Sequence, residues 1–268
     1  MCHPSKGALY QKMKKTVLRL ETLLMVVFFS FIQLYGQEGT WSLTASAGIG
    51  MLSMAPVNQT LDKTVESWNQ NQNQPVPIGP FQHFSSSPFL SSRLTYRYER
   101  DVALSISFSY FSRTLTNSYS SSNDFLSLER TVGSTDLLLG LTYYLPQLVY
   151  RLDSYVIGEV GPIFARADAI TYATTIKKTG SVGEMVVTYD TKAFYRKSKL
   201  VANLGAGGAF HVAEQIFLRA EALYRIAQVG QMDGDITSLR PVPDEQRIST
   251  TEFDFSALVV QVGIGVEF

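Results

Sequence analysis

Few side chains in this sequence have the type and spacing that chemistry requires. Histidines occur at positions 3, 83 and 211. His211 and Glu214 could form half of a metal site or of an acid–base pair, but the sequence offers no second histidine or cysteine to complete it. His83 precedes the serines Ser85–Ser87, yet a nucleophile also needs a third group to orient its base. The sequence therefore predicts no catalytic residues, no metal site and no cofactor.

Charge and composition exclude further classes of protein. The chain of 268 residues has 23 basic and 23 acidic side chains and a formal net charge of zero. A nucleic-acid partner is not expected, because no basic excess is available to meet phosphates. The only cysteine is Cys2, so disulfides are excluded. The length allows one large domain or two small ones.

The N-terminus has the pattern of a secretory signal peptide. Met13-Lys14-Lys15 begins a short positive region, Leu23 to Ile32 is an apolar run, and Gly36 offers a small residue at the cleavage site. A transmembrane anchor is the alternative, but the apolar run is shorter than the roughly 20 residues that span a bilayer. We therefore expect an N-terminal extension and cleaved signal peptide at residues 1–36, with Met13 as the better start, and one exported domain at residues 37–268.

Period-two alternation dominates after residue 37, and no window shows the 3.6-residue period of an amphipathic helix. From Val102 to Ser112, bulky apolar residues alternate with alanine and serine. From Val260 to Phe268, they alternate with glutamine, glycine and glutamate. The same criterion predicts eight strands of about the length of a tilted membrane strand, ~9–11 residues or slightly more. These strands lie at 41–51, 89–99, 102–112, 134–145, 155–165, 199–212, 216–227 and 255–268.

The connections between these strands alternate strictly in length. Long links at 52–88, 113–133, 166–198 and 228–254 alternate with shorter ones at 100–101, 146–154 and 213–215. Outer-membrane barrels show this asymmetry, with short turns on one side of the membrane and long loops on the other. A soluble sandwich has no reason to sort its links in this way. The sequence therefore predicts an all-β fold, an eight-stranded antiparallel up-and-down transmembrane β-barrel with short periplasmic turns and long extracellular loops.

The apolar face of the predicted strands has aromatic residues at both ends, as a membrane barrel requires. At the outer ends these are Tyr110, Phe164 and Tyr224, and at the inner ends they are Tyr96, Tyr98, Tyr143, Phe210 and Phe268. A soluble lipocalin-like carrier would instead turn its apolar face inward. The aromatic girdles and the charges on the opposite face therefore favour a membrane protein.

The polar face carries charges that we assign to a structural network inside the barrel. Its members are Arg93, Arg97, Asp136, Glu159, Arg219, Glu221 and Arg225. On the lipid face each midplane arginine would cost ~2–4 kcal/mol, whereas inside the barrel the charges can pair. An eight-stranded barrel is about narrow enough for side chains to fill. We therefore interpret the network as a plug of salt bridges, with an ion pathway as the alternative.

The predicted fifth strand contains an irregularity. Pro162 removes a hydrogen bond from the ladder, and Arg166 and Asp168 keep the phase of the lipid-facing Phe164. Either the strand has left the hydrocarbon beyond Phe164, or a bulge at Pro162 resets the phase. The sequence leaves both alternatives open.

The third long link is basic. Lys177, Lys178 and Lys192 are candidates for contact with lipopolysaccharide phosphates, since cationic side chains bind anionic lipid. An ordinary solvated loop is an equal alternative.

With the signal peptide, the eight strands and the terminal Phe268, residues 38–268 resemble the small outer-membrane barrels of Gram-negative bacteria, the porin family, and are similar to the transmembrane domain of OmpA. The most specific part is the last strand, where Ile264, Val266 and Phe268 match the signal that the barrel-assembly machinery reads in such families. The resemblance implies a monomer in the cell outer membrane, surrounded by outer-membrane lipid.

From these features we expect a structural or surface-interaction role, with binding through the long extracellular loops. One alternative is a non-catalytic accessory subunit of an envelope secretion or transport complex, because loops that dock another protein would look the same in sequence. A narrow gated channel is another alternative.

Overall fold

The computed structural model describes residues 39–70, 79–80, 82–120, 124–147, 149–179, 182–238 and 248–268. The predicted signal peptide lies outside these residues. In chain order the elements are β1 (Thr40–Leu52), α1 (Ala55–Gln70), β2 (Ser86–Arg97), β3 (Val102–Ser120), β4 (Asp124–Tyr144), β5 (Leu152–Thr179), β6 (Val182–His211), β7 (Ile216–Ile226), β8 (Gln228–Ser238), β9 (Ile248–Asp254) and β10 (Ala257–Glu267).

The strands form one antiparallel sheet that closes on itself. The hydrogen-bonded order runs β5-β4-β3-β2-β1-β10-β7-β6, and the pairing of β5 with β6 joins the two ends. β8 continues the wall from β7 after Ala227, and β9 leads into β10 through Phe255 and Ser256. The wall therefore has eight strands, and the predicted all-β fold, a closed eight-stranded antiparallel barrel, is confirmed. We call the end with the connections 98–101, 145–151 and 212–215 the short-turn end, and the opposite end the long-hairpin end.

Alternating side chains fix the register of this wall. In β7 every second residue is buried and every other one is exposed. β1 pairs with β10 so that Ser42 lies opposite Glu267 and Ala47 opposite Val262. A slip of one residue would turn the buried Arg219 and Glu221 outward, so the two faces hold the strands in one register.

Six of the eight wall strands continue past the level at which β1 and β2 end. They are β3, β4, β5 and β6, the strand that runs from β7 into β8, and the strand that runs from β9 into β10. We call the part of the wall beyond this level the outer extension. The predicted long links at 113–133, 166–198 and 228–254 are therefore largely strand: β3 and β4 reach 120 and 124, and β5 and β6 reach 179 and 182. The extension reverses the pattern of the membrane template, because apolar side chains such as Leu115, Leu128 and Val132 point inward. Their outward neighbours are largely polar, which is why the links were not recognised as strand.

One helix contradicts the expectation that no helix follows residue 37. α1 buries Val57 and Leu61, one turn apart, together with the preceding Met54. Asparagine, glutamine, threonine, aspartate and lysine surround this narrow stripe, so the 3.6-residue period is weak. α1 contacts β9 in the outer extension, where β1 and β2 no longer contribute to the wall. No helix in the described part of the chain is long and apolar enough to cross a bilayer.

Asn58 fixes α1 to the segment that precedes β2. Its Nδ2 donates to the Phe84 carbonyl at 3.1 Å, and its Oδ1 accepts from the Phe84 N–H at 2.9 Å. We expect Asn58→Ala to loosen α1 by about 1–2 kcal/mol, because two hydrogen bonds of ~0.5–1.5 kcal/mol net are lost. Limited proteolysis should then cleave residues 55–70 faster, whereas replacing the exposed Gln59 by alanine should leave the rate unchanged. Equal rates for wild type and Asn58→Ala would show that apolar contacts alone hold the helix.

Pro162 interrupts the pairing of β4 with β5 without changing its register. The β4–β5 pairing stops at Asp136 opposite Ile163 and resumes in the same register at Leu139 opposite Val160. The β5–β6 pairing runs through Pro162, which lies opposite Leu200. The phase is unchanged, so the alternative of a bulge that resets it is wrong. Arg166 and Asp168 stay on the outward phase, beyond the aromatic Phe164.

Candidate functional site

The interior of the barrel is filled with charged side chains. Six of the predicted network residues are buried there, namely Arg93, Asp136, Glu159, Arg219, Glu221 and Arg225. They come from β2, β4, β5 and β7, on strand positions whose neighbours face outward. The structure brings them together in two groups, one around Glu221 and Glu159 and one around Asp136.

Glu221 is the centre of the larger group. Its Oε1 accepts hydrogen bonds from Arg93 at 2.8 Å, from the Tyr155 hydroxyl at 3.0 Å and from Arg219, and its Oε2 accepts from Gln261 at 2.6 Å. A buried carboxylate is stable only when it is compensated in this way. Tyr155 and Gln261 were not predicted as members, although both lie on the inward phase of their strands.

Glu159 of β5 completes the same group, on the other side of β6 from Glu221. Its Oε1 accepts from Arg93 Nη2 at 2.8 Å and from the Ser107 hydroxyl at 2.9 Å, and its Oε2 accepts from Asn203 at 3.0 Å. Arg93 therefore bridges two carboxylates across the lumen, which ties β2 to both β5 and β7.

Arg225 and Asp136 form the second group, nearer the long-hairpin end. Both side chains are 1% exposed. The guanidinium binds both Asp136 oxygens, one of them through Nη2 at 3.0 Å, and also donates to Ser134 at 3.0 Å and to the Phe255 carbonyl at 3.2 Å. Ser109 donates to the same carboxylate at 2.7 Å. Within the described part of the interior, this pair is the most completely buried ionic contact.

Arg97, the seventh predicted member, does not join either group. It lies at the short-turn end, where its Nη1 binds Asp153 at 3.1 Å and its guanidinium stacks on the Tyr144 ring at 3.9 Å. His211 lies 3.6 Å from the same Asp153, while Glu214 is exposed in the turn. The His211 and Glu214 pair considered from the sequence is therefore not formed.

Among the described residues, the side chains at this level leave a small cavity beside the charged groups. Between the Glu221 group and the short-turn end, a space of about 20 Å³ is lined by side chains that include Thr44, Tyr155 and Arg219. A space of this size holds about one water molecule. The three arginines and three carboxylates of the two groups balance in charge, so the interior at this level carries no net charge that would draw ions of one sign.

Beyond Arg225 the interior changes from polar to apolar. Phe111 and Phe255 pack with ring centroids 5.8 Å apart, Phe253 lies 6.0 Å from Phe255, and Tyr195 lies 5.5 Å from Phe253. These rings join the buried side chains of α1 in one core. The outer extension is thus a folded part of the protein with a buried apolar interior, which the sequence did not predict.

A cavity of about 210 Å³ lies within this core, and we call it the outer cavity. Its apolar lining comes from α1, β4, β5, β6, β9 and the segment before β2, and it includes Val57, Leu61, Phe84, Val132, Tyr195 and Phe253. Arg130 of β4 also lines it and lies on the inward phase of Ser134 and Asp136. Burial lowers the pKa of the Arg130 guanidinium from its ordinary value, against a smaller raising effect of Tyr195. Continuing the β4 alternation past Ser134 would have found this residue.

The outward face of the barrel is a continuous apolar belt. A girdle of aromatic side chains borders this belt at each edge. Its exposed side chains include Leu43, Ile49, Leu90, Phe108, Leu139, Val156, Val160, Leu204, Leu218, Val260 and Val262. Tyr110, Phe164 and Tyr224 mark one edge, and Tyr143, Phe210 and Phe268 mark the other; all six are exposed. Tyr96 differs from the prediction, because it is buried with its ring 4.8 Å from Trp41.

The remaining candidate residues lie apart from the interior. His83 binds Asp62 of α1 at 2.8 Å, an exposed contact that does not involve the serines near it. Lys192 is exposed, and the side chains of Lys177 and Lys178 fall outside the described residues. Ile264, Val266 and Phe268 point outward into the belt. Within the described ranges, no group of three or more histidine, cysteine, aspartate or glutamate residues is placed to hold a metal ion.

Comparison with known proteins gives only distant structural likeness. No protein-family model matches the sequence, and no curated protein matches it. Outer membrane protein OprG from Pseudomonas aeruginosa is 9% identical with a TM-score of 0.46, over 86% of this chain and 96% of that one. A major outer membrane protein from Thermus thermophilus is 9% identical with a TM-score of 0.45, over 87% of this chain and 100% of that one.

A third similar structure is Ail, the attachment invasion locus protein of Yersinia pestis, in complex with the heparin analogue sucrose octasulfate. It is 12% identical with a TM-score of 0.41, over 87% of this chain and 100% of that one. At such identities and scores, neither a location nor a partner nor an activity of this chain follows from the likeness.

Proposed function

We propose that this chain is an outer-membrane β-barrel protein with a closed lumen, and that its role is structural or lies in surface interaction. The observation that carries the proposal is that, at the level of the belt, the barrel is apolar outside and charged inside, the reverse of a soluble protein. Apolar side chains such as Val262, which is 64% exposed, cover the outside, while paired charges fill the inside. A soluble monomer rarely exposes a contiguous apolar patch of more than a few hundred Å², and a lipid environment removes that cost.

Outer-membrane fractions and gel mobility test this proposal. Mature protein should partition with the outer membrane and require detergent for extraction. Unheated samples should migrate differently from heated ones, because a closed barrel resists unfolding by detergent. Recovery as a soluble periplasmic protein would overturn the proposal.

The surface role would lie in the outer extension. The hairpin of β5 and β6 is the longest in the fold and carries the basic positions Lys177, Lys178 and Lys192. We expect replacement of these three lysines by glutamine to weaken binding of the detergent-solubilised protein to immobilised lipopolysaccharide more than tenfold, since each cation near an anionic surface contributes about 1 kcal/mol. Replacement of Lys63, exposed on α1, serves as the control. Unchanged binding would leave the outer extension without this partner.

The exposed outward side chains of Ile264 and Val266 on β10, and of Phe268 directly after it, support a transient partner, the barrel-assembly machinery. An accessory role in an envelope secretion or transport complex would use the same extension as a docking surface. Co-purification after cross-linking in intact cells would separate this role from an independent one.

A gated channel is the competing function, and the packed interior opposes it. We expect the purified protein in planar bilayers to show no steady current, because the Glu221 and Asp136 groups fill the lumen and leave about 20 Å³ beside them. A diffusion porin measured in the same bilayers is the positive control. Reproducible unitary steps with the wild-type protein would favour the channel.

A further inference from the structure

The outer cavity combines an apolar lining with one cation. The Arg130 guanidinium donates through Nη1 to the carbonyls of Glu129 and Ile170 at 3.0 and 2.9 Å, and through Nη2 to the Thr171 hydroxyl at 3.4 Å. These are neutral acceptors. Among the described residues Arg130 has no carboxylate partner, although it is only partly exposed and every arginine of the charged interior has one.

Arg130 differs in this way from the charged residues nearest to it. Asp168 also lines the cavity, but its carboxylate binds Arg196 at 2.6 Å on the outward side of the wall. The Nε of Arg130 makes no hydrogen bond within the described residues, so part of the guanidinium fork is available. A planar guanidinium prefers a carboxylate or phosphate, which it can bind through two parallel hydrogen bonds.

The dimensions of the cavity limit what can bind. At about 210 Å³ it is somewhat larger than an engineered apolar cavity of about 150 Å³ that binds benzene. It can therefore hold an aromatic ring or a short alkyl chain, but not a peptide or a sugar chain. Thr60 of α1 lines it and is exposed, so the cavity reaches the protein surface beside the helix.

We propose that the outer cavity is a binding site for a small amphipathic carboxylate, whose carboxylate binds Arg130 and whose apolar body packs among Val57, Leu61 and Phe253. The apolar body leaves water as it enters the cavity. The carboxylate supplies the negatively charged partner that Arg130 does not have among the described residues. This site does not depend on the proposed surface role of the extension, because it is built from the core of the extension rather than from its outward face.

Ligand-detected NMR on the folded protein in lipid nanodiscs tests the site, with empty nanodiscs as the blank for partition into lipid. Benzoate and hexanoate are the probes, and benzyl alcohol is the neutral match for benzoate. Both carboxylates should bind the protein-loaded discs in excess of the blank. A preference for benzoate or for hexanoate would distinguish an aromatic source from an aliphatic one, and either preference supports a carboxylate site.

Two variants separate the charge from the cavity. Arg130→Gln should weaken benzoate binding about tenfold or more, the loss expected for a charge-assisted hydrogen bond, and should change benzyl alcohol binding by less than about twofold. Ala169→Leu, which places a larger side chain at the cavity wall, should weaken both ligands. Thr116→Leu on the exposed side of β3 is the matched control and should change neither.

The proposal is overturned if benzoate binds no better than benzyl alcohol, if Arg130→Gln leaves benzoate binding unchanged, or if loaded and empty discs take up the probes equally. The heat-dependent gel shift is recorded for every variant. A retained shift without binding refutes the cavity site alone, whereas loss of the shift in wild type refutes the outer-membrane barrel.

Discussion

Replacing Asp136 by alanine will destabilise the barrel by about 3–5 kcal/mol, the cost of leaving a buried charge without its partner. The side chains of Asp136 and Arg225 are both 1% exposed, so water cannot take over the role of the carboxylate. After the change Arg225 keeps only the Ser134 hydroxyl and the Phe255 carbonyl as acceptors. Denaturant unfolding in detergent or lipid, followed by intrinsic fluorescence, measures the loss.

A double variant shows whether the loss comes from the stranded charge. Asp136→Leu combined with Arg225→Met removes both ions, and we expect it to recover most of the stability, as apolar replacements of buried pairs often do. Asp168→Ala breaks the Arg196 pair, whose arginine side chain is 55% exposed, and should cost no more than about 1 kcal/mol. If Asp136→Ala costs as little as this control, or if the double variant is no better than the single one, the pair does not stabilise the barrel as described.

An arginine at the middle of the apolar belt should have the second largest effect. Val262 lies on β10 between Ala47 of β1 and Ala220 of β7 and is 64% exposed. We expect Val262→Arg to cost ~2–4 kcal/mol in a lipid bilayer, because the guanidinium would enter the hydrocarbon. Unfolding titrations in lipid vesicles give the value.

The control for this change is Phe194→Arg on the outward side of β6, in the outer extension. Phe194 is 40% exposed and lies well beyond the aromatic edge of the belt, so its replacement should cost about 0–1 kcal/mol. Similar costs at the two positions would show that lipid does not surround the belt and would contradict the proposed location.

The sequence predicted the barrel because the belt imposes a strong pattern. A residue on β7 or β10 must be apolar when it faces outward and small or polar when it faces inward, so Arg219, Glu221 and Gln261 could be assigned to the interior by counting from an apolar neighbour. Which charges pair was not predictable in the same way. Arg93 and Arg97 both face inward from β2, yet one binds Glu159 and Glu221 and the other binds Asp153. That choice depends on the stagger of distant strands.

The outer extension was missed for a physical reason. Outside the belt the solvent is water, so the inward side chains become apolar and the outward ones polar. Leu128 and Val132 on β4 follow this reversed rule, and a search for lipid-facing strands treats such a segment as a loop. α1 was missed because a helix that covers only the core of the extension needs few apolar residues, here chiefly Val57 and Leu61. Arg130 was missed with the segment that contains it.

The length of the β5 and β6 hairpin has a consequence for the neighbourhood of the protein. Beyond Phe164, β5 continues for about 50 Å along the strand at about 3.3 Å per residue, and β6 accompanies it to within a few residues of the tip. If lipid surrounds the belt, the hairpin is a stalk that displays its end far from the bilayer. A large particle that approaches the protein from this side would meet that end before the rest of the protein. Substitutions there can accumulate without touching the paired charges below, so the sequence of the tip can diverge while the barrel stays the same.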